Sequence, residues 1–318
     1  MLNCEETARL LRSWDDILLL CHISPDGDTL GSAAALLRGL VQLGKRAGFY
    51  CADPVPPKYG YLFQGLQLEA FAPRHVVTVD VADKALLGDA WEKYGSLVHL
   101  AIDHHASHGA FTENRWVEPA SAAAAELIYL LLEELGVKID PAMAGGIYTG
   151  LTTDTGCFRY RSVTPRTHRI AAAAMELGAD AGQINQEMFE SKSKAQVEAE
   201  RLVMEGMEFF CDGKCAMIQV PRSVYQRTGV TESELDGIAA LPRQVQGVLI
   251  GVTLKEKEDG SVKASVRMNP PGNAADLCAK FGGGGHQGAA GCSFSGRTIA
   301  QAAAEMKAAC RRYLEDLA

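Results

Sequence analysis

No stretch of this 318-residue chain stays apolar long enough to cross a membrane. The longest apolar runs, such as Ile17 to Cys21, fall far short of the roughly 18 residues that a spanning helix needs. Met1 to Asp16 is too acidic and polar for a secretory leader. Low-complexity tracts and internal repeats are missing as well. So is any CxxC pair: the nine cysteines are scattered, and the closest, Cys211 and Cys215, have the spacing of neither a redox dithiol nor a four-cysteine zinc knot. Cys21, Cys51 and Cys157 stand in apolar surroundings and read as small core thiols. Finally, there is no excess of positive charge. The net charge is −8, with the acidity in residues 1–211 (28 Asp+Glu against 18 Lys+Arg) and near balance after them (11 against 13). A protein that wraps long DNA or RNA presents a basic stripe; the lack of one argues against long duplex partners and leaves a small anionic substrate open. The expectation is a soluble, cytoplasmic protein with no membrane partner.

What is present is a series of apolar runs that read as strands: Ile17–Cys21, Gly48–Ala52, Val76–Val79 and Leu97–Ile102. They alternate with helical segments at Gly31–Leu43, Lys84–Tyr94 and Ser121–Leu135. Continuous apolar strands are those of a mostly parallel sheet covered by helices on both faces, and such sheets bind ligands beyond the carboxyl ends of their strands. Further helices are expected from Pro141, over Pro165–Leu177, over Ala181–Phe189, and from Ser193 to Phe210. The texture then changes. Lys214–Val220, Val245–Leu254 and Ser261–Arg267 read as strands, the last two joined by a Glu258-Asp259-Gly260 turn. A helix over Asn273–Lys280, a glycine run and an amphipathic helix over Ile299–Leu317 complete a smaller α+β domain. The expected division is a metal-binding domain over 1–190, a helical linker over 191–211 and a second domain over 212–318.

Four polar clusters end apolar segments: Cys21-His22-Ile23-Ser24-Pro25-Asp26-Gly27-Asp28, then Asp80, then Asp103-His104-His105, then Asp154. Taken singly, Asp26-Gly27 also fits a turn, and Asp28, Asp80 and Asp154 also fit helix caps. Taken together they are carboxylates and imidazoles collected at one sheet edge, the donor set preferred by manganese-like divalent cations over thiolate-seeking ones. Adjacent histidines at a strand end can aim at different points, and a neighbouring carboxylate can orient an imidazole through its far nitrogen. Near the other end, Phe281-Gly282-Gly283-Gly284-Gly285-His286 leaves backbone N–H groups open to an anion. Arg267 closes a strand, with a guanidinium fork suited to a terminal phosphate.

With these motifs the chain resembles the DHH phosphoesterase family, and its glycine motif resembles the DHHA1 partner domain. The closest resemblance is to the bifunctional branch that hydrolyses very short RNA and 3′-phosphoadenosine 5′-phosphate. The resemblance implies a DHH domain facing a DHHA1 domain across a cleft, with two divalent metal ions, manganese first and magnesium or cobalt as alternatives. It implies a first ion held by His22, Asp26 and Asp80, and a second held by Asp28, Asp80, His104 and Asp154, with Asp80 bridging. It further implies that His105 contacts the phosphoryl group with Asp103 in support, and that Arg267, Gly283, Gly284, Gly285 and His286 grip the substrate. Two such ions activate water for in-line attack at phosphorus. The implied partners are short RNA oligonucleotides and 3′-phosphoadenosine 5′-phosphate, and a homodimer is compatible. The chain departs from the family after Arg267, where Met268-Asn269-Pro270-Pro271-Gly272 replaces a serine-containing continuation, which bears on substrate choice. The alternatives are a phosphodiesterase for cyclic di-AMP or linear di-adenylate, an inorganic pyrophosphatase, a processive exonuclease and, of another class, a non-catalytic nucleotide sensor.

Overall fold

The computed structural model describes residues 1–66, 70–285 and 287–317, in two compact units, Met1–Ser191 and Lys192–Ala318. In the first unit, helix α1 (Cys4–Ser13) starts from an Asn3/Glu6 capping box and leads into strand β1 (Ile17–Leu20), all four of whose residues are buried. Then follow α2 (Gly27–Gln42), β2 (Ala47–Tyr50), β3 (His75–Val79), α3 (Asp89–Tyr94), β4 (Val98–Asp103) and β5 (Arg115–Val117). The unit closes with α4 (Ala124–Glu134), α5 (Pro141–Asp154), α6 (Pro165–Glu176) and α7 (Ala181–Asn185). Every strand pairing is parallel, in the order β2-β1-β3-β4-β5. The expected sheet with helical cover is therefore present.

Three local features differ from the sequence reading. The segment read as one helix over Lys84–Tyr94 is a 3-10 turn over Lys84–Leu87 followed by α3, because Gly88 between them takes a left-handed φ of 54°. Strand β5, Arg115–Val117, is too short to leave a pattern; helix α1 is absent from the sequence reading although its Asn3/Glu6 capping box and its buried Ala8 and Leu11 are a legible signal. Asp154, which also fitted a helix cap, is the last residue of α5 itself, and Thr155 is the C-cap.

The chain runs from β1 outward to β2 and from β3 outward to β4 in the opposite direction, so the strand order switches between β1 and β3, and their carboxyl ends flank the crevice where open α/β sheets take ligands. Helix α2 lies almost wholly in the core and meets α5 at a contact between glycines. A Cβ on Gly31 would stand 2.2 Å from the Gly146 carbonyl oxygen, and one on Gly150 would stand 2.6 Å from Asp28 Oδ1. The same small residues that let the helices touch leave room for a carboxylate between them.

The second unit begins with α8 (Lys194–Glu205), continues through β6 (Glu208–Phe210), β7 (Cys215–Val220), α9 (Arg222–Thr228), β8 (Ile250–Glu256) and β9 (Val262–Met268), and ends with α10 (Ala274–Ala279), β10 (Gly284–Gly285), β11 (Ala289–Phe294) and α11 (Ile299–Leu317). Its mixed sheet runs β10-β11-β9-β8-β7-β6, with β7 and β8 parallel and the other pairs antiparallel. Alternation along β9 buries Val262, Ala264, Val266 and Met268 in a core shared with Met306 and Tyr313 of α11. A second small core joins Ala199 and Val203 of α8 to Ile218, Val220 and Val224. The helix expected to run to Phe210 stops at Glu205. Cys211 and Asp212, at φ 52° and 54°, and Gly213, at 77°, turn the chain into a β6-β7 hairpin. All nine cysteines are free thiols. No helix among the described residues is long and apolar enough to cross a membrane.

Candidate metal centre

The polar clusters of the first unit meet. His22 lies two residues beyond β1, Asp26 is the N-cap of α2, and Asp28 sits in its first turn. Asp80 follows β3 directly, in a left-handed conformation (φ 58°), and its N–H donates to the Ile102 carbonyl at 2.9 Å. Such a backbone costs about 1–3 kcal/mol for a non-glycine residue and persists where its surroundings hold it. Thr29 Oγ1, donating to the Val79 carbonyl at 2.8 Å, ties α2 to this turn.

His22 Nε2 lies 3.6 Å from Asp26 Oδ1 and 3.8 Å from Asp80 Oδ2. His104 Nε2 lies 3.4 Å from Asp80 Oδ1, 3.4 Å from Asp154 Oδ2 and 3.8 Å from Asp28 Oδ2. Three overlapping groups of donor atoms each fall within 4.8 Å of one another: His22/Asp26/Asp80, Asp80/His104/His105 and Asp28/His104/Asp154. Asp80 and His104 each belong to two of them.

A helix cap is present, but at Asp26 and not at Asp28, Asp80 or Asp154. Asp26 Oδ1 accepts from the amides of Asp28 and Thr29, so it caps α2 as well as facing His22. Asp28 points across to the start of α4, where the amides of Ala124 (2.6 Å) and Ala125 (2.9 Å) donate to its two oxygens and Ser32 Oγ donates at 3.2 Å. Two orphan amides of a helix N-terminus thus hold a fully buried carboxylate in place.

The imidazoles are set for a cation. His22 Nδ1 lies 2.8 Å from the Ile23 carbonyl and His104 Nδ1 lies 3.1 Å from the Ser121 carbonyl. A carbonyl only accepts, so each Nδ1 carries the proton and each Nε2 is the metal-facing nitrogen. Burial works against charge on both rings, but Asp26 and Asp80 push His22 up to about 10, and Asp80, Asp154 and Asp28 push His104 up to about 11. Burial raises Asp28 well above the ordinary carboxylate range, with Asp80 and Asp154 adding to it. Burial also pushes Asp154 up to about 7, against the pull of His104. Four carboxylates crowded together in this way need positive charge among them. Asp80 Oδ1 is moreover buried with no hydrogen-bond partner. A buried lone pair without a donor, among oxygen and nitrogen ligands and no thiolate, fits a divalent cation.

Asp103 ends β4 and is fully buried. Its Oδ1 accepts from His105 Nδ1 at 2.7 Å, so His105 is oriented by the carboxylate beside it. Two supports escaped the sequence reading. His108 Nδ1 donates to Asp103 Oδ2 at 2.8 Å. Arg166 of α6 donates to Glu126, Glu118 and Ser121 Oγ, holding the segment whose Ser121 carbonyl accepts from His104. The third histidine, three positions beyond His105, was a visible signal; the Arg166 contacts, 40 or more residues apart, were not.

In the second unit, Lys263, Ser265 and Arg267 project from one face of β9, beside Gly284, Gly285 and Gly291, around a hollow of about 280 Å³. Gly283 lines an adjoining hollow of about 500 Å³ with Phe281 and Gly282. A Cβ on Gly283 would stand 2.1 Å from the Gly291 carbonyl oxygen, so only glycine fits there. His286 lies outside the described residues.

Residues 16–151 match the DHH family, N-terminal domain, and residues 214–316 match the DHHA1 domain. Over 306 residues the chain is 30% identical to the bifunctional oligoribonuclease and PAP phosphatase NrnA of Thermus thermophilus, covering 94% of this chain and 90% of that one. The chain belongs to the DHH family. The resemblance drawn from its motifs is borne out, and a DHHA1 domain follows the DHH domain as expected. The NrnA of Bacillus subtilis is 24% identical over 316 residues, covering 97% of this DHH chain and 99% of its own. Among solved structures, an exopolyphosphatase-related protein from Bacteroides fragilis has the same fold, with a TM-score of 0.87 at 21% identity over 98% of this chain and 96% of that one.

Proposed function

We propose that this chain is a metal-dependent phosphoesterase that hydrolyses very short RNA oligonucleotides and 3′-phosphoadenosine 5′-phosphate. Its class, a phosphoric-ester hydrolase, follows from its family and from the activities in the names of its NrnA relatives. The observation that carries the reading is the set of three donor groups linked through Asp80 and His104. His22, Asp26 and Asp80 would hold one divalent cation, and Asp28, Asp80, His104 and Asp154 a second, with manganese the first choice for these oxygen and nitrogen donors. Bound there, the cations supply a water of lowered pKa and positive charge for the phosphoryl oxygens.

The side chains do the rest. Asp103, kept ionised by His105 and His108 in spite of its burial, fixes the proton of His105 on Nδ1. Nε2 is then the nitrogen that meets the phosphoryl oxygens, and charge on this ring stabilises the developing oxyanion. Burial opposes that charge, but Asp103 and Asp80 favour it and raise the His105 pKa. Arg267 offers a fork to a terminal phosphate, and the amides of the glycine loop, Gly283 to Gly285, add donors that read no base. The net negative charge of the chain suits short substrates over long ones.

The test is manganese-dependent turnover of 5′-phosphorylated RNA dimers, five-mers and 24-mers, of 3′-phosphoadenosine 5′-phosphate, and of cyclic and linear di-adenylate. Fast cleavage of the dimers and of 3′-phosphoadenosine 5′-phosphate, with little on the 24-mer, is expected. A strong preference for a di-adenylate would replace the proposed substrates, and no turnover at all would refute the enzymatic reading.

A further inference from the structure

Asp103 has unevenly shared oxygens. Oδ1 accepts from the amides of His104 (2.8 Å) and His105 (3.3 Å) and from His105 Nδ1 (2.7 Å). Among the described residues, Oδ2 has a single donor, His108 Nδ1 at 2.8 Å. The turn that carries His108 is fixed at both ends, its N–H donating to the His105 carbonyl and the next amide, Gly109, donating to the Ala82 carbonyl beside the Asp80 loop. We propose that His108 is a positioning residue for His105: by anchoring the second oxygen of Asp103 it fixes the carboxylate plane, and with it the ring that faces the phosphoryl group. The inference rests on the phosphoesterase reading above.

Packing alone does not account for this side chain. Its ring lies 4.9 Å from that of Phe111 and is only 4% exposed, yet Nε2 is buried with no partner. Leucine or phenylalanine would fill that space without leaving a polar nitrogen unmet. What only a polar side chain supplies here is the donor to Asp103. Without it, Oδ1 keeps its three donors but Oδ2 of a fully buried carboxylate is left unmet, and any rotation by which Oδ2 finds a new partner carries the His105 bond with it.

Four variants decide the matter, assayed on 3′-phosphoadenosine 5′-phosphate with manganese: His108→Phe, His108→Asn, His105→Ala, and His105→Ala combined with His108→Phe. His108→Phe keeps a ring against Phe111 and removes the donor. It is expected to lower kcat by about 10–100-fold, the scale of losing a partner that orients an active-site imidazole, with KM and bound manganese within about twofold of wild type. His108→Asn can still donate to Oδ2 and should return kcat to within about threefold. On the His105→Ala background, His108→Phe should cost nothing further, because residues acting as a unit are not additive. A His108→Phe kcat within about twofold of wild type, or an undiminished loss on the His105→Ala background, overturns the role. Should His108→Phe not fold, the folded His108→Asn variant decides: kcat near wild type supports the role, and a loss of about tenfold or more overturns it. A wild-type chain without turnover of any substrate would instead sink the functional reading itself.

Discussion

Asp28, in the first unit, is fully buried with both oxygens held by helix amides and one also by Ser32. Arg267, in the second unit, stands on a sheet face beside glycines, around an open hollow. One group has its position dictated from three sides, while the other, its Nη1 donating to the Val266 carbonyl at 3.1 Å, borders open space. The difference suits the two tasks proposed above. Cation ligands must converge within a few tenths of an ångström, so their carriers are strand ends and helix starts locked by long-range hydrogen bonds. The terminal phosphate proposed for the second unit would need donors and space, which backbone amides and the Arg267 guanidinium would provide.

The hardest blow to this comparison should come at Asp80. Asp80→Asn keeps the shape and tolerates the left-handed backbone, so the fold should survive. The variant loses the carboxylate that the proposed cation sites share, and kcat should fall by about 10²–10³-fold or more, at least the scale of removing one preorganised charge-stabilising group. Bound manganese, counted by mass spectrometry on folded protein, should fall with it. Retained stoichiometry and rate would show that Asp80 is not shared.

Arg267→Ala should strike the other side of the comparison. One charge-assisted hydrogen bond contributes about 1.5–3 kcal/mol, so KM for 3′-phosphoadenosine 5′-phosphate should rise by about 10–100-fold. Bound manganese should not change. A loss confined to kcat, with KM unmoved, would take Arg267 out of the grip.

The pH dependence of cation binding sharpens the contrast again. His22 (about 10) and His104 (about 11) carry protons on Nε2 at neutral pH in the cation-free site, and Asp154 (about 7) is part-protonated. A cation must displace those protons, so manganese affinity should climb with pH, by about tenfold per unit for each proton released, and level off only above the imidazole values. Calorimetric titration in two buffers of different ionisation enthalpy counts the protons directly. Affinity flat from pH 6 to 9 would mean that the ligands are already deprotonated.

How legible each region was follows the same division. Asp103-His104-His105 could be read because three functional groups are contiguous at the end of an apolar run, and the other proposed ligands because each stands near one end of a recognisable strand or helix. What holds them could not be read. The Ala124 and Ala125 amides, 96 and 97 residues from Asp28, carry no side-chain signal at all, and Arg166 meets Glu126 and Ser121 only once α6 has packed. Among the elements, Glu208–Phe210 passed for the end of a helix because its apolar residues continue the helical spacing of α8, and only the left-handed turn at Cys211 and Asp212 makes it an edge strand. Sequence periodicity marks what an element buries; it says little about which distant backbone group will steady a side chain.

The smallest effect should come from Lys263, two alternations along β9 from Arg267 on the same face. It is exposed, and an exposed lysine pairing with a phosphate gains about 0.2–1 kcal/mol, so Lys263→Ala should raise KM by no more than about fivefold. Its distance along the strand makes the loss selective. A substrate with a single terminal phosphate near Arg267 has nothing to offer Lys263, whereas a five-mer carries further phosphates along the face. The expected result is an unchanged KM for 3′-phosphoadenosine 5′-phosphate and a salt-sensitive increase for the five-mer that fades as ionic strength rises. Equal effects on both substrates would mean that the face acts as a diffuse positive field and not as a row of separate contacts, and the contrast between a locked centre and an open grip would then extend to the absence of any register in the grip.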